Sequence, residues 1–170
     1  LMYLGITATQ LHDVIANFKA VEHRLERVTV IDGATYFNDS KATNTDSAIK
    51  ALESFKEPVV LLAGGYDKMT DLTDFMNMVK KHAKALVLMG DAAARFEESA
   101  KAAGVEDIVR VRSMAEAVAK GHELAKPGDV VLLSPACSSF DWYHCFEERG
   151  DDFKNEVYAL ADMLANKKGS

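Results

Sequence analysis

The sequence predicts an α/β protein with a Rossmann-like, three-layer α/β/α fold around a mostly parallel sheet of about six strands, one of them antiparallel. The first observation behind this prediction is that short β-rich apolar runs alternate with stretches of helical periodicity. The second is that a single hairpin signal precedes this alternation. With 170 residues, 48% of them apolar and 27% charged, the chain is long enough for one compact domain with a buried core.

The first part of the chain is predicted to contain a helix and then the hairpin. Apolar residues at positions 11, 14, 15 and 18 form one helical face, and Thr9 is its expected N-cap. Strands at 28–31 and 35–37 flank Asp32-Gly33, a dipeptide that favours the positive-φ turns of antiparallel hairpins. This hairpin supplies the antiparallel strand of the predicted sheet.

Four later apolar runs are short and β-rich, as expected of strands that are buried on both faces. They cover residues 59–63, 86–89, 108–111 and 130–133. Each run is followed by a helix signal, and right-handed crossovers then place helices on both sides of the sheet.

The helices are indicated by apolar stripes and by end signals. Stripes run over residues 48–55 and 72–79, Gly104 is expected to close a third helix, and the segment from Ser113 to Glu116 matches a capping box. The final helix has an apolar face and is expected to carry acidic residues at its positive amino end. The face consists of Phe153, Val157, Leu160 and Leu164, and the acidic residues are Asp151 and Asp152.

Charge and composition exclude several classes of function. Acidic residues outnumber basic ones by 26 to 20, and the net charge of −6 argues against a sequence-independent grip on nucleic acid. No apolar stretch approaches the length of a membrane span, so no membrane association is expected. Cys137 and Cys145 are too few for a disulfide framework, which favours a reducing, cytoplasmic location.

Three polar segments, at 38–44, 63–68 and 134–141, each follow a predicted strand. Because loops after parallel strands emerge at the same edge of a sheet, we expect these segments to line one crevice. The first segment combines hydroxyls, Lys41 and a helix amino terminus, which suits an anion. The alternative is that Thr43, Asn44 or Thr45 only caps the helix while Lys41 is solvated.

The glycine pair before Lys68 is compatible with two structures. It could let a ligand approach the backbone beside the lysine, or it could only form a tight strand-to-helix turn. The chain contains no GxxxxGK[ST] motif, so it is not a self-contained P-loop ATPase. Cys137 near His144 could form a nucleophilic pair, although nothing orients the imidazole, and a zinc site that adds Cys145 lacks a fourth ligand.

Taken together, the motifs resemble one family, the Mur ligases, and within it the UDP-N-acetylmuramoyl-L-alanine:D-glutamate ligases of peptidoglycan precursor synthesis. The resemblance rests on Asp39-Ser-Lys-Ala-Thr-Asn44, Leu61-Leu-Ala-Gly-Gly-Tyr-Asp-Lys68, Leu132-Leu-Ser-Pro-Ala-Cys-Ser-Ser-Phe-Asp141 and Phe146-Glu-Glu-Arg-Gly-Asp151. The segment His23-Arg24-Leu25-Glu26 also resembles the junction into the carboxyl-terminal domain of the family. Met69 departs from the pattern, because members often carry glycine there.

The resemblance implies a domain organisation. Family members have an amino-terminal domain for the UDP sugar, a central P-loop ATPase domain and a Rossmann-like carboxyl-terminal domain. Residues 1–20 would be the tail of the central ATPase domain with its linker, and residues 21–170 the carboxyl-terminal domain. The chain alone is therefore expected to be inactive, and the alternatives are a stand-alone, non-catalytic Rossmann-like binding module or an unrelated small hydrolase.

The resemblance also implies roles for individual residues. D-Glutamate would be bound by Thr43, Lys68, Ser139 and Phe146, whereas ATP would meet Arg24, Asp39 and Lys41 when the domains close. The complete ligase would use ATP and Mg²⁺, with the P-loop, the metal ligands and the catalytic residues outside this chain. The expected partners are D-glutamate, ATP and, through the other domains, UDP-N-acetylmuramoyl-L-alanine, and the expected state is a monomer.

Overall fold

The computed structural model describes Thr7 and residues 21–168. The predicted first helix, and with it nearly all of the segment assigned to a preceding domain, lies outside the described residues. Among the described residues, no helix is both long enough and apolar enough to cross a bilayer.

A six-stranded sheet forms the centre of the molecule, in the order β1-β2-β6-β3-β4-β5. Its strands are β1 Glu26–Ile31, β2 Ala34–Asn38, β3 Val59–Gly64, β4 Ala83–Met89, β5 Ile108–Arg110 and β6 Val130–Leu133. β1 and β2 pair in antiparallel orientation, and the other neighbours pair in parallel. The predicted fold class, including the antiparallel hairpin, is confirmed.

Within residues 21–168, five helices cover the two faces of the sheet: α1 Thr45–Glu53, α2 Thr73–His82, α3 Ala93–Ala102, α4 Met114–Leu124 and α5 Phe146–Lys168. Leu52, Phe75 and Phe96 of the first three helices share one apolar core with Leu61 of β3. Leu62, which points to the other face of β3, belongs to a second core with residues of α4 and α5. The alternation of side chains along a buried strand therefore produces the three layers.

The hairpin turn has the backbone conformation that its sequence predicts. Asp32 and Gly33 have φ values of +47° and +84°, and Ile31 lies opposite Ala34 in the ladder. Positive φ at both central residues matches the right-handed twist of the flanking strands, which is why Asp-Gly favours this turn.

Two helix ends differ from the predictions. α5 begins at Phe146, so Glu147 and Glu148 occupy its first turn, and the expectation that Asp151 and Asp152 lie at its amino end is wrong. The first turn of α5 is anchored by Arg149, a buried residue whose side chain binds distant loops. Because this anchor is not an apolar stripe, apolar periodicity did not reveal the turn.

The capping box at the start of α4 forms only in part. The Ser113 hydroxyl accepts a hydrogen bond from the Glu116 N–H at 3.2 Å. The Glu116 carboxylate, however, reaches the N–H of Arg112 at 2.8 Å, one residue before the cap. Two backbone donors at this helix start are therefore bonded to side chains, but in a pairing shifted by one residue from the capping box.

Candidate functional site

The three polar segments meet at one edge of the sheet. Because β6 lies between β2 and β3, the loops that follow these strands are neighbours. The Gly64 N–H donates to the Pro135 carbonyl at 2.8 Å, and the Tyr66 N–H donates to the Ser138 carbonyl at 3.0 Å. The predicted convergence of the loops at this edge is therefore present in the structure.

The paired glycines are explained by contacts within the protein. A Cβ on Gly64 would lie 2.1 Å from the Met89 carbonyl oxygen, and one on Gly65 would lie 2.4 Å from the Ser138 carbonyl oxygen. Both residues also have positive φ, at +111° and +140°. The glycines thus let three loops approach each other closely, which favours the structural explanation of this pair over a direct approach of a ligand.

The side chain of Arg149 joins the loop after β2 to the loop after β6. Its Nε donates to the Ser40 hydroxyl at 3.0 Å, and its Nη2 donates to the carbonyls of Ser40 at 2.9 Å and Cys137 at 3.1 Å. Its Nη1 donates to the Ser138 carbonyl at 3.1 Å. The side chain is fully buried, and burial lowers its pKa to about 10, so it remains charged at neutral pH.

Lys68 and Thr43 lie together in a small cleft of about 40 Å³, which is also lined by Asp67, Arg95 and Cys137. The Lys68 ammonium is exposed and donates to the Thr43 carbonyl at 2.8 Å. This bond joins the loop after β3 to the loop before α1. Of the predicted glutamate-binding residues, these two are brought into direct contact.

Ser139 and Phe146, the other two predicted glutamate-binding residues, are placed differently. Ser139 is only 1% exposed, and its carbonyl accepts hydrogen bonds from the N–H groups of Trp142 and Tyr143. Phe146 is half-buried at the start of α5, with the Lys41 ammonium 5.2 Å from its ring centre. The structure thus pairs Phe146 with a residue predicted for ATP, and it holds Ser139 away from the surface.

Arg24 and Asp39, predicted for ATP, line a second cleft of about 130 Å³ together with Ser47 and Lys50. Asp39 is buried, and its carboxylate accepts hydrogen bonds from the Leu25 N–H at 3.2 Å and the Ser134 hydroxyl at 2.8 Å. Burial raises the pKa of Asp39 above its usual range. Asp39 therefore fixes the segment that carries the exposed Arg24, in addition to facing the cleft.

Most of these features lie within residues that match a known family. A model described as Mur ligase, glutamate ligase domain matches residues 23–137. The chain belongs to this family. Lys41, Lys68 and Cys137 fall inside the matched range, whereas Ser139, Phe146 and Arg149 lie beyond its end.

Curated relatives of this glutamate ligase domain are longer proteins. This chain is 50% identical over 157 residues to a UDP-N-acetylmuramoylalanine--D-glutamate ligase of Pelotomaculum thermopropionicum, and the match covers 92% of this chain and 34% of that protein. It is 48% identical over 150 residues to the enzyme of the same name from Clostridioides difficile, covering 88% of this chain and 33% of that protein. The chain thus spans about one third of the length of these relatives.

Solved structures support the fold of the domain. The UDP-N-acetylmuramate-alanine ligase of Thermotoga maritima superposes with a TM-score of 0.64 at 14% identity, covering 94% of this chain and 35% of that chain. A Mycobacterium tuberculosis folylpolyglutamate synthase, complexed with ADP, superposes with a TM-score of 0.61 at 14% identity, covering 79% of this chain and 34% of that chain. At this identity the likeness concerns the fold alone.

Sequence reasoning assigned no role to two buried residues of this Mur ligase domain. Arg149 is one, and His23 is the other, with its Nδ1 3.0 Å from the Asn38 side-chain nitrogen. A Cβ on Gly150 would lie 2.2 Å from the same His23 nitrogen, so glycine is required where the imidazole crosses α5. The sequence signal for these two residues was the pair Arg149-Gly150 within an otherwise acidic segment. This pair was noted only as part of the family motif.

The thiol and zinc alternatives find no geometric basis in this domain. Cys137 is buried and burial raises the pKa of its thiol to about 12, whereas His144 is exposed. Over residues 21–168, the ligand atoms with metal-like spacing belong to Glu22, His23 and Asp151. The ammonium of Lys154 already binds these carboxylates, at 2.7 Å from Glu22 and 3.1 Å from Asp151.

Proposed function

We propose that this chain is the D-glutamate-binding and ATP-closing domain of a ligase that adds D-glutamate to UDP-N-acetylmuramoyl-L-alanine. The observation that carries the proposal is the contact between Lys68 and Thr43 in a cleft at the carboxyl edge of the sheet. The 50% identity to a ligase of that name supports the choice of substrates. The domain would act as part of a longer polypeptide, and alone it would be inactive.

The proposed reaction forms an amide bond at the expense of ATP. The alanyl carboxylate is phosphorylated by ATP, and the amine of D-glutamate then attacks the acyl phosphate, forming the amide and releasing phosphate. No side chain of this domain needs to exchange a covalent bond for these steps. Its contribution would be to hold the incoming amino acid in line and to exclude water when the domains close.

Lys68 and Thr43 would hold the carboxylates of D-glutamate. The Lys68 ammonium is exposed and bonded to a neutral carbonyl, so exchanging that bond for one to a carboxylate adds the attraction between opposite charges. Such bonds contribute about 1.5–3 kcal/mol each. The Thr43 hydroxyl offers a neutral donor beside it, while Phe146 would shield one side from water. Ser139 would contribute after a local rearrangement, since its side chain is buried in this structure.

Arg24, Lys41 and Asp39 would face the nucleotide. The cleft of about 130 Å³ that Arg24 shares with Lys50 carries cationic side chains and serine hydroxyls, a donor set that fits an anionic ligand rich in hydroxyls. Lys41 would approach the phosphates, and Arg24 and Asp39 would serve the nucleoside. ATP with Mg²⁺ supplies the phosphoryl group in the complete ligase, and the P-loop and metal ligands would belong to the preceding domain.

The remaining partners and the location follow from the same proposal. UDP-N-acetylmuramoyl-L-alanine would be bound by the domains outside this chain, and the ligase would work as a monomer in the cytoplasm, where its nucleotide substrates are made. A net charge of −6 gives the domain no general attraction to nucleic acid or to anionic lipid.

The experiment that tests the proposal is the steady-state kinetics of Lys68→Ala in the complete ligase. Losing a charged contact to the substrate should raise the KM for D-glutamate by an amount equivalent to about 2–5 kcal/mol, with a smaller change in kcat. Lys120→Ala is the matched control, because Lys120 lies on α4 and pairs with Glu123. A wild-type KM in Lys68→Ala would remove Lys68 from the glutamate site.

A further inference from the structure

The loop that carries Lys68 is held from outside by Arg95 of α3. Arg95 forms a bidentate pair with Asp67, with Nε 2.7 Å from one carboxylate oxygen and Nη2 2.6 Å from the other. Its Nη1 also donates to the Thr70 carbonyl at 2.9 Å. One guanidinium group thus binds the residues on both sides of the Lys68-Met69 dipeptide.

The pair is built to fix a conformation. The Arg95 side chain is 26% exposed and that of Asp67 is 16% exposed, so water screens the pair only in part. The guanidinium of Arg95 holds the pKa of Asp67 below its usual range. The same carboxylate accepts a hydrogen bond from the Met69 N–H at 2.8 Å, where the backbone has φ of +56°, a conformation that L residues seldom adopt.

Arg95 lines the Lys68 cleft, but its position argues against a direct contact with substrate. Its Nε, Nη1 and Nη2 each already donate to an acceptor of the protein. Lys68, by contrast, is exposed and points across the cleft to the Thr43 carbonyl. The geometry therefore favours a supporting role for Arg95 and a binding role for Lys68.

We propose that Arg95 is a positioning residue for D-glutamate, which acts by fixing the 66–70 loop so that the Lys68 ammonium is held at the cleft. This inference rests on the proposed function and adds to it a residue on a different helix. Arginine suits the role because its planar fork fixes the carboxylate bidentately while a third donor reaches Thr70, a geometry that lysine cannot reproduce.

A double-mutant cycle in the complete ligase tests this role. Arg95→Gln should raise the KM for D-glutamate roughly 10-fold with little change in kcat, because a misplaced but intact ammonium still binds weakly. Arg95→Lys should give an intermediate value. Combined with Lys68→Ala, Arg95→Gln should add nothing further, since a residue that acts through Lys68 has no effect in its absence.

Two further variants make the result decisive. Asp67→Asn weakens the same pair from the loop side and should repeat the KM pattern, so the conclusion does not depend on the folding of one variant. Arg110→Gln is the control, because Arg110 pairs with Glu97 of the same helix at 3.2 Å but lies on β5, and its KM should equal that of the wild type.

The outcomes separate this inference from the function on which it rests. If Lys68→Ala raises the KM and Arg95→Gln leaves it at the wild-type value, the role of Arg95 is refuted while the proposed function stands. Additive effects in the double variant would equally refute it, because Arg95 would then act independently of Lys68. If Lys68→Ala itself has no effect, the glutamate site is misplaced and both proposals fall.

Discussion

Replacing Arg149 with methionine tests whether a buried arginine holds the candidate site together. Methionine has a similar length and keeps most of the apolar volume, so the main change is the loss of the guanidinium donors. In the wild type these donors bind the Ser40 hydroxyl and the carbonyls of Ser40, Cys137 and Ser138. The substitution therefore removes the guanidinium link between the loop after β2 and the loop after β6, while the bond from the Ser134 hydroxyl to Asp39 remains.

The expected loss of stability follows from counting the acceptors that are left without a donor. The Ser138 carbonyl keeps its bond from the Tyr66 N–H at 3.0 Å. The carbonyls of Ser40 and Cys137 have no second donor within residues 21–168. Each unsatisfied buried polar group costs about 1–3 kcal/mol, and two carbonyls lose their donor. The variant no longer has to bury a charged guanidinium, which offsets part of that cost, so we expect a net loss of stability of about 2–4 kcal/mol.

Urea unfolding of the chain, followed by circular dichroism, measures this loss. With an m value of about 2 kcal/mol/M, the midpoint should fall by about 1–2 M. Arg112→Met is the control, because Arg112 is exposed, and it should stay within about 0.5 kcal/mol of the wild type. A loss below about 1 kcal/mol in Arg149→Met would show that the loops hold their arrangement without this side chain and would refute the reasoning.

Three smaller perturbations give further expected outcomes. Met69→Gly should stabilise the chain by up to about 1 kcal/mol in urea unfolding, because φ of +56° costs methionine more than the added chain entropy costs glycine; a destabilised variant would contradict this. Asn44→Ala should cost about 0.5–2 kcal/mol, since it removes the side-chain acceptor 2.8 Å from the Ser47 N–H, whereas Asn44→Ser should retain most of the stability. At pH 8 a thiol reagent should modify Cys145 and spare Cys137, whose pKa of about 12 leaves it protonated until the chain unfolds; rapid reaction of both would disprove the burial argument.

The elements that could be predicted from the sequence are those set by local patterns. Asp32-Gly33 fixed the hairpin, and the apolar runs at 59–63 and 130–133 lie within or coincide with β3 and β6. Gly104, with φ of +82°, follows the end of α3 as expected of a helix-closing glycine. β4 was predicted to begin at position 86 but begins at Ala83, because Ala83 pairs with Val59 directly after α2 and Ala85 continues the ladder opposite Val60.

Features that depend on distant contacts could not be predicted in the same way. Nothing in the local pattern near Phe146 indicates that α5 begins there, because the first turn is anchored through Arg149 to the loops after β2 and β6. The burial of Ser139 likewise depends on how those loops fold over each other. The contact between Lys68 and Thr43 was expected only as a shared crevice, since residue types give no distance.

The position of β6 has a consequence for how the chain reaches its native state. β6 is contributed by residues 130–133, yet it joins the β1-β2 hairpin to the β3-β4-β5 sheet. Until those residues leave the ribosome, the edges of β2 and β3 that β6 will cover present unpaired backbone N–H and C=O groups, which favours aggregation and slow, non-local folding. The sheet can therefore close only after β6 has been synthesised, and the loops of the candidate site come together in the same step.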